Sequence, residues 1–413
     1  MQKRKIDLEL PLFLLWPFGS FLLALRSIPS RKSGFIYVLF TTLFGYAFSF
    51  TTISADSYRV AWGFTNSHYT IEKIFFNYSI GAITDVYKSL MYSLTHSFSE
   101  NPKVLFALFG FVFGLFSYTS LKLLLDIKWK LRDKYVAIIA LVYFASNAII
   151  NINGARFYTA AIIALCAIIN LYYYNRKFWI IALVATIFIH FSYLFIVPVI
   201  LLFYFFRSFL FKSKNTPKWI YLAFYIGFFL SFLSDTNLLK LDFLSGVLST
   251  SVADKVELYN SSELSERYEE RGETFFHTVS RSFSTIVKVY LFIIILYIKR
   301  RLKNDVILSE KLQMFFSFVL LFFAITFALS VVPSGGRFVT IANQLFLFFF
   351  VQYYLIDYSK NTKRLIIGLL PAFAFLLLFQ IGYLGIVLTS STIWYGNLFW
   401  IIYEGWEYTF IYL

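Results

Sequence analysis

The hydrophobic positions of this chain fall in long unbroken runs. They lie at about 10–25, 34–53, 104–125, 135–151, 157–174, 178–206, 219–233, 278–298, 312–332, 338–357 and 365–388. Several reach the ~20 residues that a helix needs to cross about 30 Å of hydrocarbon. None shows the period-2 alternation of a barrel strand. The pattern predicts an all-α polytopic membrane protein of about 11–13 helices, some split or re-entrant. No Pro-rich or Ser-rich linker divides the runs, so residues 1–413 read as a single integral membrane domain.

The polar residues between the runs assign the sides. Basic clusters stand at Arg26/Arg31/Lys32, Lys128/Lys130/Arg132/Lys134, Arg176/Lys177, Arg207/Lys212/Lys214/Lys218, Lys299/Arg300/Arg301/Lys303 and Lys360/Lys363/Arg364. All six read as cytoplasmic, because short cytoplasmic loops collect Lys and Arg. Segment 178–206 is cationic at both ends, which predicts a hairpin of two short helices meeting near His190-Phe191-Ser192. The first run, 10–25, follows Lys3, Arg4 and Lys5 and precedes another basic cluster. Either it is interfacial or re-entrant, or the N-terminus lies outside. It carries no cleavable signal-peptide pattern and reads as a retained anchor. Two long loops, about 54–103 and 234–277, occupy the opposite face with an aromatic tail from Ser390 to Leu413. Residues 254–273 within the second loop read as an amphipathic surface helix laced with ion pairs.

Composition sharpens this picture. The chain is 59% hydrophobic, 22% aromatic and 14% charged, with mean hydropathy +0.70. Its formal charge of +15 would suggest nucleic acid in a soluble protein. Here it reports topology, and no nucleic-acid partner is expected. One cysteine, Cys166, excludes a disulfide within the chain and reads as a small buried hydrophobe.

Common soluble chemistries find no support. The sequence has no phosphate-binding glycine loop, no HExxH, no Cys/His metal spacing and no GxSxG elbow. No metal and no cofactor are expected. What stands out instead is a pair of similar turns, Asn153-Gly154-Ala155-Arg156-Phe157 and Ser334-Gly335-Gly336-Arg337-Phe338. Each sets one arginine behind a glycine, between apolar runs. An arginine fork binds phosphate oxygens bidentately, and low dielectric strengthens the contact. Arg156 and Arg337 are therefore candidate pyrophosphate ligands; the alternative for each is a snorkelling or helix-capping arginine. Arg281 and Arg59 are secondary candidates. His190, in Phe188-Ile189-His190-Phe191-Ser192, is a candidate base or a structural histidine at a helix break. Asp56 would activate a hydroxyl or cap a helix starting at Ser57. His68, His96 and His277 read as solvated loop residues. Glu404 and Glu407 stand among Trp394, Trp400 and Trp406 in an aromatic interfacial belt or a sugar-stacking surface.

Taken together, Asp56-Ser57-Tyr58-Arg59, Asn151-Ile152-Asn153-Gly154-Ala155-Arg156-Phe157, His190-Phe191-Ser192 after Arg176-Lys177, and Gly336-Arg337-Phe338 resemble the bacterial Wzy-type polysaccharide polymerases, particularly the EpsG-like branch. The resemblance implies a GT-C-type helical fold with two sizeable periplasmic loops, embedded in the inner membrane. It also implies an inverting, metal-independent glycosyl transfer at the periplasmic face. Undecaprenyl-pyrophosphate-linked glycans would be donor and acceptor, membrane lipid would surround the site, and a chain-length regulator protein is a conceivable partner. The cationic N-terminus departs from the outside N-terminus of EpsG-like proteins. An O-antigen ligase and a lipid-linked oligosaccharide flippase are the alternative readings.

Overall fold

A computed structural model describes residues 9–50, 55–125, 133–210, 216–233, 275–304, 306–331, 335–380 and 385–411, with no side-chain description at 233, 275–282, 304 and 407–411. The chain order is α1 (Glu9–Leu15), α2 (Pro17–Leu25), α3 (Arg31–Tyr46), α4 (Asp56–Thr65), α5 (Ile71–Ser79), α6 (Val86–His96), α7 (Pro102–Leu125) and α8 (Lys134–Ser146). A 3-10 turn, Ile149–Gly154, leads into α9 (Ala155–Ile168), followed by α10 (Trp179–Ile189), α11 (Tyr193–Leu210) and α12 (Lys218–Leu230). Then come α13 (Phe275–Asn304), α14 (Glu310–Leu329), a second 3-10 turn at Gly335–Phe338, α15 (Val339–Tyr354), α16 (Lys360–Leu378) and α17 (Leu398–Ile411). Short helical turns at Gly385–Leu388 and Thr392–Tyr395 lie before α17.

The protein is an all-α polytopic membrane protein. Five stretches among the described residues are long and apolar enough to cross a membrane: Pro102–Leu125, Lys134–Tyr173, Tyr193–Leu210, Glu310–Leu329 and Lys360–Leu378. The second is interrupted by the Ile149–Gly154 turn. No strand occurs among the described residues; Phe48 and Thr389 form an isolated antiparallel bridge. Close packing inside hydrocarbon needs small residues where backbones approach. Gly110 and Gly114, one turn apart on α7, meet this need: a Cβ at either would strike Thr41 of α3.

The hairpin expected in 178–206 is present. The chain breaks at His190, which is extended at φ −150° and ψ 120°. Arg207 Nη2, from the last turn of α11, donates to Asn175 Oδ1 just before α10 at 2.9 Å. Both cationic ends therefore sit at one end of the bundle. Segment 10–25 is divided at Trp16, where Pro17 opens α2. Ser20 Oγ donates to the Glu9 carbonyl at 2.6 Å, so α1 folds back on α2. The expected loop 54–103 is instead largely the three helices α4 to α6. Their polar faces hide them from a reading based on apolar runs, yet Ile74, Met91 and Tyr92 are buried and Thr70 caps α5. Residues 234–274, including the expected surface helix 254–273, lie outside the described residues.

The basic end is tied by caps and one buried carboxylate. Asp133, Ser309 and Ser359 cap α8, α14 and α16. Asp357, 5% exposed, accepts from Tyr353 Oη at 2.9 Å, Thr362 Oγ1 at 2.8 Å and Ser359 N at 3.1 Å, and Arg301 Nε stands 3.5 Å away. Burial pushes its carboxyl up, but the hydrogen bonds from Thr362, Tyr353 and Ser359 outweigh burial and hold it below the usual carboxylate range. A depressed folded value means that Asp357 stabilises the fold above the unfolded value of about 3.9 and stops doing so as pH falls through the lower folded one. Asp357→Ala should cost about 2–3 kcal/mol at pH 7, because it strands buried donors. The cost should shrink as pH falls below the unfolded value of about 3.9, as thermal unfolding in detergent will read.

Candidate functional site

The end opposite the basic clusters gathers the expected site residues. Asn153 Oδ1, in the first 3-10 turn, accepts from Ser57 N at 2.9 Å and so anchors the start of α4. Behind it, Phe157 packs edge-to-face on Phe338 with centroids 5.2 Å apart, on His190 at 5.4 Å and near Tyr193 at 5.6 Å. Tyr193 meets Phe338 at 5.3 Å. The Arg156-Phe157 and Arg337-Phe338 turns and the His190 break therefore share one aromatic knot. Far-apart stretches of sequence become one site through their phenylalanines.

The two arginines differ in surroundings. Arg156 Nη1 donates to Asp85 Oδ2 at 2.5 Å, and the Asp85 side chain is only 4% exposed. The other oxygen, Asp85 Oδ1, accepts from Phe191 N at 2.9 Å. One carboxylate thus joins the Arg156 turn to the helix break beside His190. Arg337 is exposed, its guanidinium carbon 5.8 Å from the centre of the Phe157 ring. Among the described residues it has no carboxylate ion pair. A phosphate would meet a charge already balanced at Arg156 and an unbalanced one at Arg337.

The glycines of the two turns also differ. A Cβ at Gly154 would meet the Tyr158 ring at 2.9 Å, and one at Gly335 would collide with the Leu329 carbonyl. At Gly336 the nearest atom would be Ser330 Cβ at 3.9 Å. Gly335→Ala should therefore displace the Arg337 turn and lower the thermal midpoint, whereas Gly336→Ala should leave it unchanged. Side-by-side thermal unfolding will check both.

Asp56 does not cap a helix that starts at Ser57. Helix α4 starts at Asp56 itself, with Ala55 as its cap and no side-chain cap bond. Asp56 instead pairs with Arg59 one turn on, which leaves the Arg59 charge balanced. His190 stands at the helix break with Nδ1 engaged by Ser192. Ser192 N donates to His190 Nδ1 at 3.3 Å and the Ser192 hydroxyl lies 2.8 Å from the same nitrogen, so Nδ1 accepts and the neutral ring carries its proton on Nε2. A base role would need Nδ1 freed first. Arg281 lies in the second turn of α13; its side chain, like those of His277 and Glu407, is outside the described residues. His96 is not a solvated loop residue: it stacks on Phe64 at 4.0 Å, and His68 is 4.4 Å away. Glu404 Oε2 accepts from Ser390 and Thr392 hydroxyls at 2.7 and 2.5 Å, tying α17 to the Thr392–Tyr395 turn. Cys166 is fully buried, as expected.

Two cavities flank the knot region and the N-terminal helices. One, of about 210 Å³, is lined by Tyr158, Gly336, the polar residues Thr340 and Asn343 of α15, and Gln380 just beyond α16. The other, of about 1040 Å³, is a mostly apolar groove among α1, α3, α7 and α17, with Asn101 at its polar edge. Asp85 was missed because it stands in a stretch read as loop. Its signal is an aspartate at the cap position of α6 that makes no cap bond, so its carboxylate is spent elsewhere.

Comparison with known proteins finds no family model, no curated protein and no solved structure that matches the chain. The fold defines its class alone, an all-α polytopic membrane protein.

Proposed function

We propose that this protein joins lipid-pyrophosphate-linked oligosaccharide repeats, as a Wzy-type polymerase of the bacterial inner membrane would, at its periplasmic face. The observation that carries the reading is the unbalanced Arg337 guanidinium over Phe157, one residue from Arg156, beside a polar cavity. Arg337 takes the donor pyrophosphate, and the edge of Arg156 not used by Asp85 assists. Fixed cations at a developing leaving-group charge lower the barrier without reorganising. An acceptor hydroxyl attacks the anomeric carbon in line and inverts it; the C–O bond to pyrophosphate breaks, and the proton passes to a carboxylate. Asp56 suits that step better than His190, since its partner Arg59 is well exposed and exposed pairs are weak. His190 Nε2–H acts as a donor instead. The apolar groove offers a bed for a polyprenyl tail.

The test is direct. Purified protein in nanodiscs, given a lipid-linked repeat, should release polyprenyl pyrophosphate and lengthen the glycan. Release without lengthening, restored only by a lipid A core acceptor, would mean a ligase. No release from any lipid-linked repeat would sink the reading.

A further inference from the structure

The small cavity next to the Arg337 turn has a lining that specifies its ligand. Ser146, Asn151, Tyr158, Thr340, Asn343 and Gln380 contribute polar groups, and none of the described lining residues is charged. Phe283, Phe375 and Phe379 form an apolar wall: Phe283 stacks on Phe375 at 3.7 Å, and Phe375 on Phe379 at 5.6 Å. Within this lining Gln380 is 8% exposed, and its Oε1 is buried without a hydrogen-bond partner. A buried acceptor left unmade calls for a donor from a ligand or a water. Hydroxyls and amides on one side with aromatic faces on the other suit a ring that is polar at its edge and apolar on its face. The described lining offers no charge to pair with a phosphate or a carboxylate, whose desolvation would then go uncompensated, so it favours a neutral ligand. At about 210 Å³ the cavity lies below the ~300–1,000 Å³ of a drug-sized ligand site, so it holds one ring and no oligosaccharide.

We propose that this cavity is a subsite for one neutral sugar ring, the terminal ring of the acceptor glycan. The assignment to the acceptor rests on the polymerase reading above, whereas the sugar specificity does not. A one-ring cavity lined by residues of α8, α9, α13, α15 and α16 takes a chain end more readily than an internal ring that must be extended in two directions. Gly336 places the Arg337 turn at its wall, and Tyr158, two positions after Arg156, also lines it.

The experiment uses the full chain in nanodiscs and saturation-transfer NMR with the methyl glycosides of glucose, galactose, rhamnose and N-acetylglucosamine. At least one should bind to wild type, weaken tenfold or more in Gln380→Leu and in Asn343→Leu, and bind unchanged to Arg337→Ala. Thr340→Val, the mildest change, should raise KM for the acceptor several-fold and leave kcat alone. Thermal unfolding confirms that each variant is folded. Binding to none of the four by wild type, or binding that survives both the Gln380 and Asn343 substitutions, overturns the subsite. Specific binding in a protein that turns over no lipid-linked glycan upholds the subsite and defeats the polymerase reading.

Discussion

Replacing Asp85 with alanine should destabilise the protein by about 3 kcal/mol and abolish its activity. That figure sits at the lower end for breaking a buried ion pair, because the Asp85 side chain is 4% exposed while that of Arg156 is 35% exposed. Two groups lose their partner at once, the Arg156 guanidinium and the Phe191 N–H. The first then swings free and the second is left unsatisfied at the helix break, so both the cation and the His190 segment drift. Asp85→Asn keeps a carbonyl oxygen for Phe191 but loses the charge, and should cost about half as much. A double-mutant cycle with Arg156→Gln should show a coupling of about 1–3 kcal/mol. Coupling near zero would mean that the contact carries no energy and that the Arg156 turn is held by its aromatic packing alone.

Arg337→Ala should behave in the opposite way, with stability unchanged and turnover reduced by about 10²–10³-fold, the range for losing one group that stabilises developing charge. Arg337 is exposed and has no carboxylate partner among the described residues, so its removal strands none of them. Arg337→Lys keeps the charge but replaces a planar fork with a point, and should recover only part of the rate. Turnover and thermal unfolding measured on the same samples separate the two arginines. Arg156 substitutions should move both quantities, and Arg337 substitutions only the first. An Arg337→Ala protein that released polyprenyl pyrophosphate at the wild-type rate would remove this residue from the site.

The helices were legible wherever apolar residues run together, since burying a helix backbone in hydrocarbon demands such runs. The break at His190 was legible as well, because Arg176/Lys177 and Arg207 had to end on one side. The three helices of 56–96 were not. Their stability comes from a few buried side chains such as Ile74 and Tyr92 packed against the bundle, which leave only a faint trace in composition. The near-identical wording of the Arg156 and Arg337 turns suggested equal roles, and the structure separates them through one residue, Asp85, 71 positions from its partner.

By itself the sequence determined class: a helical membrane protein with basic clusters between its apolar runs, and with two Gly-x-Arg-Phe or Gly-Arg-Phe turns among its polar breaks. Hydropathy and charge act on each segment locally, so order along the chain suffices to read them. Only the tertiary structure decided that Phe157, Phe338, His190 and Tyr193 form one knot, that Arg156 is neutralised while Arg337 is not, and that Gln380 faces a cavity beside them. Those facts depend on which helices become neighbours. Neighbour choice is settled by side-chain packing summed over the whole bundle, which no local stretch encodes.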